Sequence, residues 1–310
     1  MESYDVSLKV INYDLILQPH VFLDVTPIQH LLEYDGKFKN FRALPMFFAE
    51  ILQFLTSKYV VKIEFPYENE LSFETMPSYA LRPYQEDALS EWIENDYRGI
   101  ICLPTGTGKT FLGLTAIHQT KSRTLIIVPT INLLHQWRRN VIEGLKIPKE
   151  NIGIWGGGKQ ELNEITITTY DSAHIYVKRF QSAFDLLIFD EVHHLPAPTY
   201  RVIAEGTIAS KRLGLSATPE RSDELHRDLD FLVGKVVYRT EHEELVDDGY
   251  VAPFKLKTIT IELAEDEQRR YDALDKVYQD YVKKYKVFDY EKLVLRSGRD
   301  KKAREALLAR

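Results

Sequence analysis

The run Leu103-Pro104-Thr105-Gly106-Thr107-Gly108-Lys109-Thr110 has the residue types and spacing of a loop that cradles phosphate. It follows an apolar stretch, Gly99–Leu103, and precedes a helical one, which is the strand–loop–helix context such a loop needs. Pro104, Thr105, Gly106, Thr107 and Gly108 would form the cradle, the glycines letting backbone N–H groups crowd a β-phosphate where a Cβ would clash. Lys109 can reach β/γ-phosphates, the Thr110 hydroxyl can ligate Mg²⁺, and the helix N-terminus adds a favourable dipole. The general pattern opens with Gly, whereas position 103 is Leu.

A second cluster, Asp190-Glu191-Val192-His193-His194, closes the apolar strand Leu186–Phe189. An acid delivered to the C-terminal end of a buried strand is where a Mg²⁺-coordinating carboxylate belongs. Asp190 is assigned to the metal and Glu191 to polarising an attacking water. Together with Lys109 these are the candidate catalytic groups for transfer of a phosphoryl group from ATP, a reaction governed by placement and charge stabilisation. A zinc site at His193 and His194 is disfavoured, because no Cys/His cluster at ligand spacing accompanies them.

The elements that must position these residues follow from periodicity. From Leu81 to about Arg239, apolar runs at Gly99–Leu103, Leu125–Val128, Ile165–Thr169, Leu186–Phe189 and Arg212–Leu215 alternate with helical stretches, among them Phe111–His118 and Leu133–Val141. That pattern predicts a parallel sheet covered on both faces, a doubly wound α/β domain. Residues 1–78 predict a small α/β domain. Its strands are expected at Val6–Ile11, Leu15–Leu17, His20–Val25 and Val60–Phe65, with a helix carrying Phe47, Phe48, Ile51, Leu52, Phe54 and Leu55. The proline-bounded, acidic stretch from Phe65-Pro66 to Met76-Pro77 is expected to be a linker. Beyond about Thr240, a turn at Asp248–Pro253 leads to strand-like Phe254–Leu263 and a charged, mostly helical tail over 265–310. The domain boundaries are accordingly set at 1–78, 79–240 and 241–310.

With these elements in place, the second cluster resembles the DExH box of superfamily 2 helicases, and its double His looks like the XPB family. Leu81-Arg82-Pro83-Tyr84-Gln85 looks like that superfamily's adenine-recognition motif, which implies Arg82 and Gln85 at the base. Val128-Pro129-Thr130 and Thr168-Thr169-Tyr170 are similar to DNA-contacting motifs, implying Pro129, Thr130 and Thr169 as DNA contacts. Leu215-Ser216-Ala217-Thr218-Pro219 looks like the motif that couples nucleotide state to DNA grip, so Ser216, Thr218, His193 and His194 are expected coupling residues. Leu103 also fits the XPB family, as does an N-terminal domain containing Phe41-Arg42-Ala43-Leu44-Pro45, similar to the family's damage-recognition domain. The family's Arg-Glu-Asp motif corresponds to Arg221-Ser222-Asp223, where the central acid is Ser. Arg221 and Asp223 are candidate DNA contacts or a solvated surface pair.

The resemblance implies a RecA-like first lobe using ATP and Mg²⁺, acting on forked or duplex DNA in 3′→5′ unwinding or remodelling during nucleotide excision repair or transcription. It implies as partners a second lobe and a Bax-type nuclease. The chain is expected to lack the second lobe, since about 57 residues after Pro253 cannot build one, and therefore to hydrolyse ATP poorly by itself. The alternatives are another superfamily 2 DNA translocase, of restriction or chromatin type, or a protein-docking module of a repair complex. RNA is not excluded by the motor motifs themselves.

Composition sets limits. The 310 residues are 44% hydrophobic and 28% charged, with a formal net charge of −6, so any DNA site must be a local patch. Residues 1–78 carry six basic and eleven acidic side chains. Lys37, Lys39 and Arg42 with Phe38 and Phe41 are the candidate DNA patch there, although the two rings are as well explained as core covered by charge. Residues 255–310 carry fifteen basic and eleven acidic side chains. Lys283-Lys284-Tyr285-Lys286 and Arg299–Arg304 could ride a DNA backbone or simply be a solvated helix face. Trp155-Gly156-Gly157-Gly158-Lys159 is expected to be a turn, Trp137 to be core with Arg138 and Arg139 exposed, and the single Cys102 to be a buried small hydrophobe. With no signal-peptide pattern and no long apolar stretch, an intracellular, cytoplasmic and nucleoid-associated location without membrane contact is expected.

Overall fold

The computed structural model describes residues 4–219, 224–253, 258, 260, 262–285, 290–298 and 300–309. The chain divides into two compact units, residues 1–253 and 254–310. Arg221 and Asp223 lie outside the described residues, as does most of the expected strand Phe254–Leu263.

The first unit begins with β1 (Val6–Ile11) and β2 (Asp14–Pro19), paired antiparallel with Leu8 opposite Leu17. The two-residue turn between them places both Asn12 and Tyr13 at positive φ, the left-handed geometry whose twist suits a tight hairpin. Two further strands, β3 (Glu33–Asp35) and β4 (Asn40–Ala43), extend this sheet, and β5 (Val61–Ile63) joins β1 in parallel, giving the order β3-β4-β2-β1-β5. Helix α1 (Phe48–Thr56) buries Phe48, Ile51 and Leu55 against Val6, Leu8, Leu15 and Leu17. The strand expected at His20–Val25 does not form. Asp24 accepts from the Thr26 amide and hydroxyl, and Pro27 opens a 3₁₀ turn over Thr26–Leu31. Phe38 is 56% exposed and is not a core residue, whereas Phe41 is half-buried against the core and lies 5.2 Å from the ring of Tyr34. Arg42 is engaged by Asp35 at 2.5 Å and Asp14 at 3.5 Å.

The second sheet is built from β6 (Arg98–Cys102), β7 (Thr124–Val128), β8 (Ile152–Gly156), β9 (Lys159–Gln160), β10 (Ile165–Thr169), β11 (Leu186–Asp190), β12 (Lys211–Ser216) and β13 (Val236–Arg239). The order is β13-β6-β12-β11-β7-β10-β8-β9, every pairing parallel except the closing β8–β9 hairpin. That hairpin turns through Gly157 and Gly158, both at positive φ, so the glycine run is a tight turn.

Successive residues of each strand feed opposite cores. Ile126, Val128, Ile188 and Leu213 face one layer with α2 (Pro83–Glu94), α3 (Lys109–Thr120) and α4 (Ile131–Leu145). Leu125, Ile127, Leu187 and Phe189 face the other, with short helices that include α5 (Tyr170–Ile175), α6 (Val177–Phe180), α7 (Arg201–Glu205) and α8 (Leu229–Leu232). This is the doubly wound arrangement expected from the apolar runs. Cys102 is buried in it.

The stretch read as a linker is a strap. Arg123 donates its amide to the Asn69 carbonyl, and Leu71, Met76 and Ser78 donate theirs to Lys121, Leu145 and Gly144. Ser72 donates both amide and hydroxyl to Glu164 at 2.7 Å. The proline-bounded acidic composition signalled irregular backbone, which the strap is, but the carbonyls waiting for it at the ends of α3 and α4 leave no local trace in sequence. After α9 (His242–Asp247), Gly249 turns the chain at φ +76° into Tyr250.

The second unit contains α10 (Glu265–Tyr285), α11 (Tyr290–Ser297) and α12 (Lys301–Leu308). Tyr281, Leu293, Ala303 and Ala306 form its core, and Tyr281 donates to Asp300, which caps α12. Lys283, Lys284, Lys301, Lys302 and Arg304 are exposed.

Candidate active site

The C-terminal ends of five adjacent parallel strands line up the candidate residues. In sheet order they carry the Leu103–Thr110 loop (β6), Ser216 (β12), Asp190 (β11), Pro129 and Thr130 (β7) and Thr169 (β10). The carboxyl edge of an open parallel sheet, where the chain's winding reverses, is where such folds hold ligands.

Leu103 is fully buried in the core, and its amide donates to the Ser216 carbonyl at 3.0 Å. An apolar residue here anchors the loop's root and keeps clear of its mouth, which is the physical reason Leu serves where the general pattern has Gly. Gly106 and Gly108 sit at φ +82° and +84°, a region closed to most side chains. A Cβ on Gly108 would lie 2.6 Å from the Gln85 amide nitrogen, while one on Gly106 meets nothing within 4 Å. Lys109 Nζ crosses the loop to donate to the Leu103 carbonyl at 2.9 Å and the Pro104 carbonyl at 3.3 Å. Burial pushes its pKa below the ordinary lysine value, and the carboxylates of Glu191 and Asp190 pull the other way. Thr107 ties the loop by donating to the Pro104 carbonyl, and Thr105 at its tip is exposed. Thr110 is half-buried in the first turn of α3.

Gln85 is the loop's brace. Its amide nitrogen donates to the Thr107 carbonyl at 2.9 Å, and its Oε1 accepts from the Arg82 amide at 2.9 Å. Tyr84 adds a second tie to the Thr107 carbonyl at 2.7 Å. Gln85 therefore keeps one acceptor site on Oε1 for any further partner.

Asp190 is 9% exposed, and desolvation raises its pKa, opposed chiefly by a hydrogen bond from Trp137 Nε1 at 2.8 Å. Trp137 is core, as expected, but it is also the Asp190 brace, which the sequence reading missed. A buried indole needs an acceptor, and that rule was the available signal. Tyr170 likewise donates to the Asp190 carbonyl at 3.1 Å. Of the two arginines beside Trp137, Arg139 is exposed but Arg138 is half-buried.

Glu191 adopts φ +51°, uncommon for a non-glycine residue. Its carboxylate lies 3.4 Å from His193 Nδ1 and accepts from Ser216 Oγ at 3.5 Å. Ser216 Oγ lies 3.2 Å from the same His193 nitrogen and accepts from the Thr218 amide at 3.2 Å. Glu191, His193, Ser216 and Thr218 thus form one network across two strands. His194 packs its ring 4.4 Å from His193 and 5.7 Å from Tyr170.

Thr130 is exposed and caps α4 by accepting from the Leu133 amide. Thr169 is 5% exposed and caps α5, its hydroxyl already engaged with Ser172. Pro129 is half-buried.

Residues 78–221 match the family model described as "Type III restriction enzyme, res subunit". The chain is 39% identical over 284 residues to the DNA 3'-5' translocase XPB2 of Sulfurisphaera tokodaii, a match that covers 90% of this chain and 63% of that protein. These matches make the chain similar to XPB-type DNA translocases over most of its own length. A second relative is the Saccharomyces cerevisiae general transcription and DNA repair factor IIH helicase/translocase subunit XPB/SSL2, 30% identical over 63% of this chain and 26% of that one. Among solved structures, the Pyrococcus furiosus Hef helicase domain is 19% identical, covers 74% of this chain and 56% of that one, and has a TM-score of 0.48. The chain spans less than two thirds of the length of the curated relatives it matches. No helix among its described residues is long and apolar enough to cross a membrane.

Proposed function

We propose that the chain carries the ATP-binding lobe and N-terminal domain of a DNA helicase or translocase. This motor would move 3′→5′ on forked or duplex DNA in excision repair or transcription. The reading rests on one observation: a loop with glycines at its left-handed positions and its lysine, a buried acid beside a second acid, and the Glu191–His193–Ser216 network share one edge of a parallel sheet. Matches to a named translocase and to a factor IIH subunit support the same activity.

The residues fit ATP and Mg²⁺. The loop backbone can wrap a β-phosphate only because Gly106 and Gly108 hold left-handed conformations, and Lys109 already has its ammonium across the loop's mouth. Thr110 and Asp190 would hold Mg²⁺, which supplies neutralisation of phosphate charge when bound. Burial makes the Asp190 carboxylate costly to ionise by itself, so a cation there repays desolvation. Glu191 would orient the attacking water and accept its proton, with His193 and Ser216 fixing the carboxylate. Arg82 and Gln85 would recognise the base. Pro129, Thr130 and Thr169, further along the edge, would lie towards DNA, with Arg221 and Asp223 as additional candidates. A second lobe would supply arginines to the transferred phosphate, a contribution worth about three or more decades in rate. A Bax-type nuclease is a candidate partner in repair.

ATP turnover with and without forked duplex tests this reading. The 310 residues by themselves are expected to turn over slowly, to accelerate with DNA when a second lobe is joined to them, and to lose that gain with Glu191→Gln. Robust unwinding by the 310 residues alone would contradict the half-site account.

A further inference from the structure

Tyr250 lies 168 residues from Arg82 in sequence, yet the two are joined in this structure twice over. Arg82 donates an Nη1 hydrogen to the Tyr250 carbonyl at 2.9 Å, and its guanidinium carbon lies 5.7 Å from the centre of the Tyr250 ring. The Tyr250 ring in turn packs edge-on against Tyr84, centroids 5.1 Å apart, and Tyr84 donates to the Thr107 carbonyl of the phosphate loop. A continuous contact path therefore runs from the loop's backbone through Tyr84 to Tyr250 and Arg82. Tyr250 itself is held by its amide on the Leu245 carbonyl, so the ring stands on the end of α9 rather than on a free segment.

Arg82 is exposed and long, and a free arginine loses considerable side-chain entropy when it is fixed on a ligand. A guanidinium already engaged by a carbonyl and an aromatic ring meets a planar base with part of that cost met, and can stack or donate from its remaining N–H groups. On the reading of this edge as an ATP site, we infer that Tyr250 is a positioning residue for nucleotide-base recognition. It holds Arg82 against the base side of the phosphate loop and so sets preference among purine nucleotides without touching the phosphates.

The test measures equilibrium binding of ATP, GTP and inorganic triphosphate to the full chain and to Tyr250→Ala, Tyr250→Phe and Lys109→Ala. Tyr250→Ala should weaken ATP about three- to tenfold, the scale of one cation–π contact. It should bring the ATP:GTP ratio towards one and leave triphosphate binding unchanged. Tyr250→Phe, which keeps the ring and the carbonyl, should restore both ATP affinity and the ratio. An unchanged ATP:GTP ratio in Tyr250→Ala, or triphosphate binding that falls in step with ATP, would overturn the inference while leaving the site intact. Failure of the unsubstituted chain to bind any of the three, or of Lys109→Ala to weaken all three, would instead overturn the ATP-site reading beneath it.

Discussion

Asp190 shows how a single side chain can be set against stability. Its carboxyl is buried, and its pKa is raised by that burial despite the Trp137 hydrogen bond. An acid whose native pKa lies above its unfolded pKa makes no difference to stability when both states are protonated. Its penalty appears as pH rises above the unfolded pKa and is complete above the raised native one. Asp190→Asn is therefore expected to raise the midpoint of thermal unfolding at neutral pH, with the gain shrinking to nothing as pH falls below the ordinary aspartate range. Melting curves across pH check the direction. Trp137→Phe should act oppositely. It strips the buried acid of its donor, costs about 1–3 kcal/mol in urea unfolding, and pushes the Asp190 pKa higher still. At this scale the sequence named the chemical groups but not their braces. Lys109, Asp190 and Glu191 stand out in the sequence by type and spacing, and the structure brings them within electrostatic reach of one another. Trp137 and Tyr250 act across 53 and 168 residues, and no local pattern encodes such pairs.

Strands and loops were legible where burial is continuous. β7, β10 and β11 are buried at every residue and read as unbroken apolar or Thr-rich runs. β13 was missed because it is an edge strand, half-exposed and paired with β6 on one side only. β8 was missed because Gly153 and Gly156 interrupt it, and β4 because Asn40 and Arg42 break its alternation. The start of β12 holds another feature without a sequence signal. Arg212 is fully buried, and its guanidinium donates to the carbonyls of Ala204, Thr207, Ala209 and Leu232. Arg212→Met would leave several buried acceptors unpaired, and we expect a loss of about 3 kcal/mol or more in urea unfolding. In the phosphate loop, Gly108→Ala adds a left-handed backbone penalty of about 1–2 kcal/mol and drives a methyl into the Gln85 brace. Titration with ATP should show its affinity falling by about tenfold or more.

At the scale of the first unit, the N-terminal sheet and the larger sheet share packing as well as a strap. Ile208, from the turn before β12, is buried among Val6, Leu8, Phe48 and their neighbours. The rings of Phe47 and Phe231 lie 5.9 Å apart, and Lys178 donates to Asn12 at 3.0 Å. Ile208→Ala should cost about 2–4 kcal/mol and shift the unfolding of both sheets together when followed by hydrogen exchange. The two sheets lie in one compact unit, where the sequence pattern had suggested two domains, and the seam left no signal because its residues are ordinary apolar ones in both partners.

The central claim is that one sheet edge is built to hold ATP through Lys109 and the glycine loop. Equilibrium binding of ATP with Mg²⁺, compared between the unsubstituted chain, Lys109→Ala and Glu191→Gln, tests it most directly. The account predicts that Lys109→Ala weakens binding about ten- to a hundredfold, the loss of a charge-assisted hydrogen bond. Glu191→Gln should bind as tightly as the unsubstituted chain. Binding that survives Lys109→Ala unchanged would contradict it.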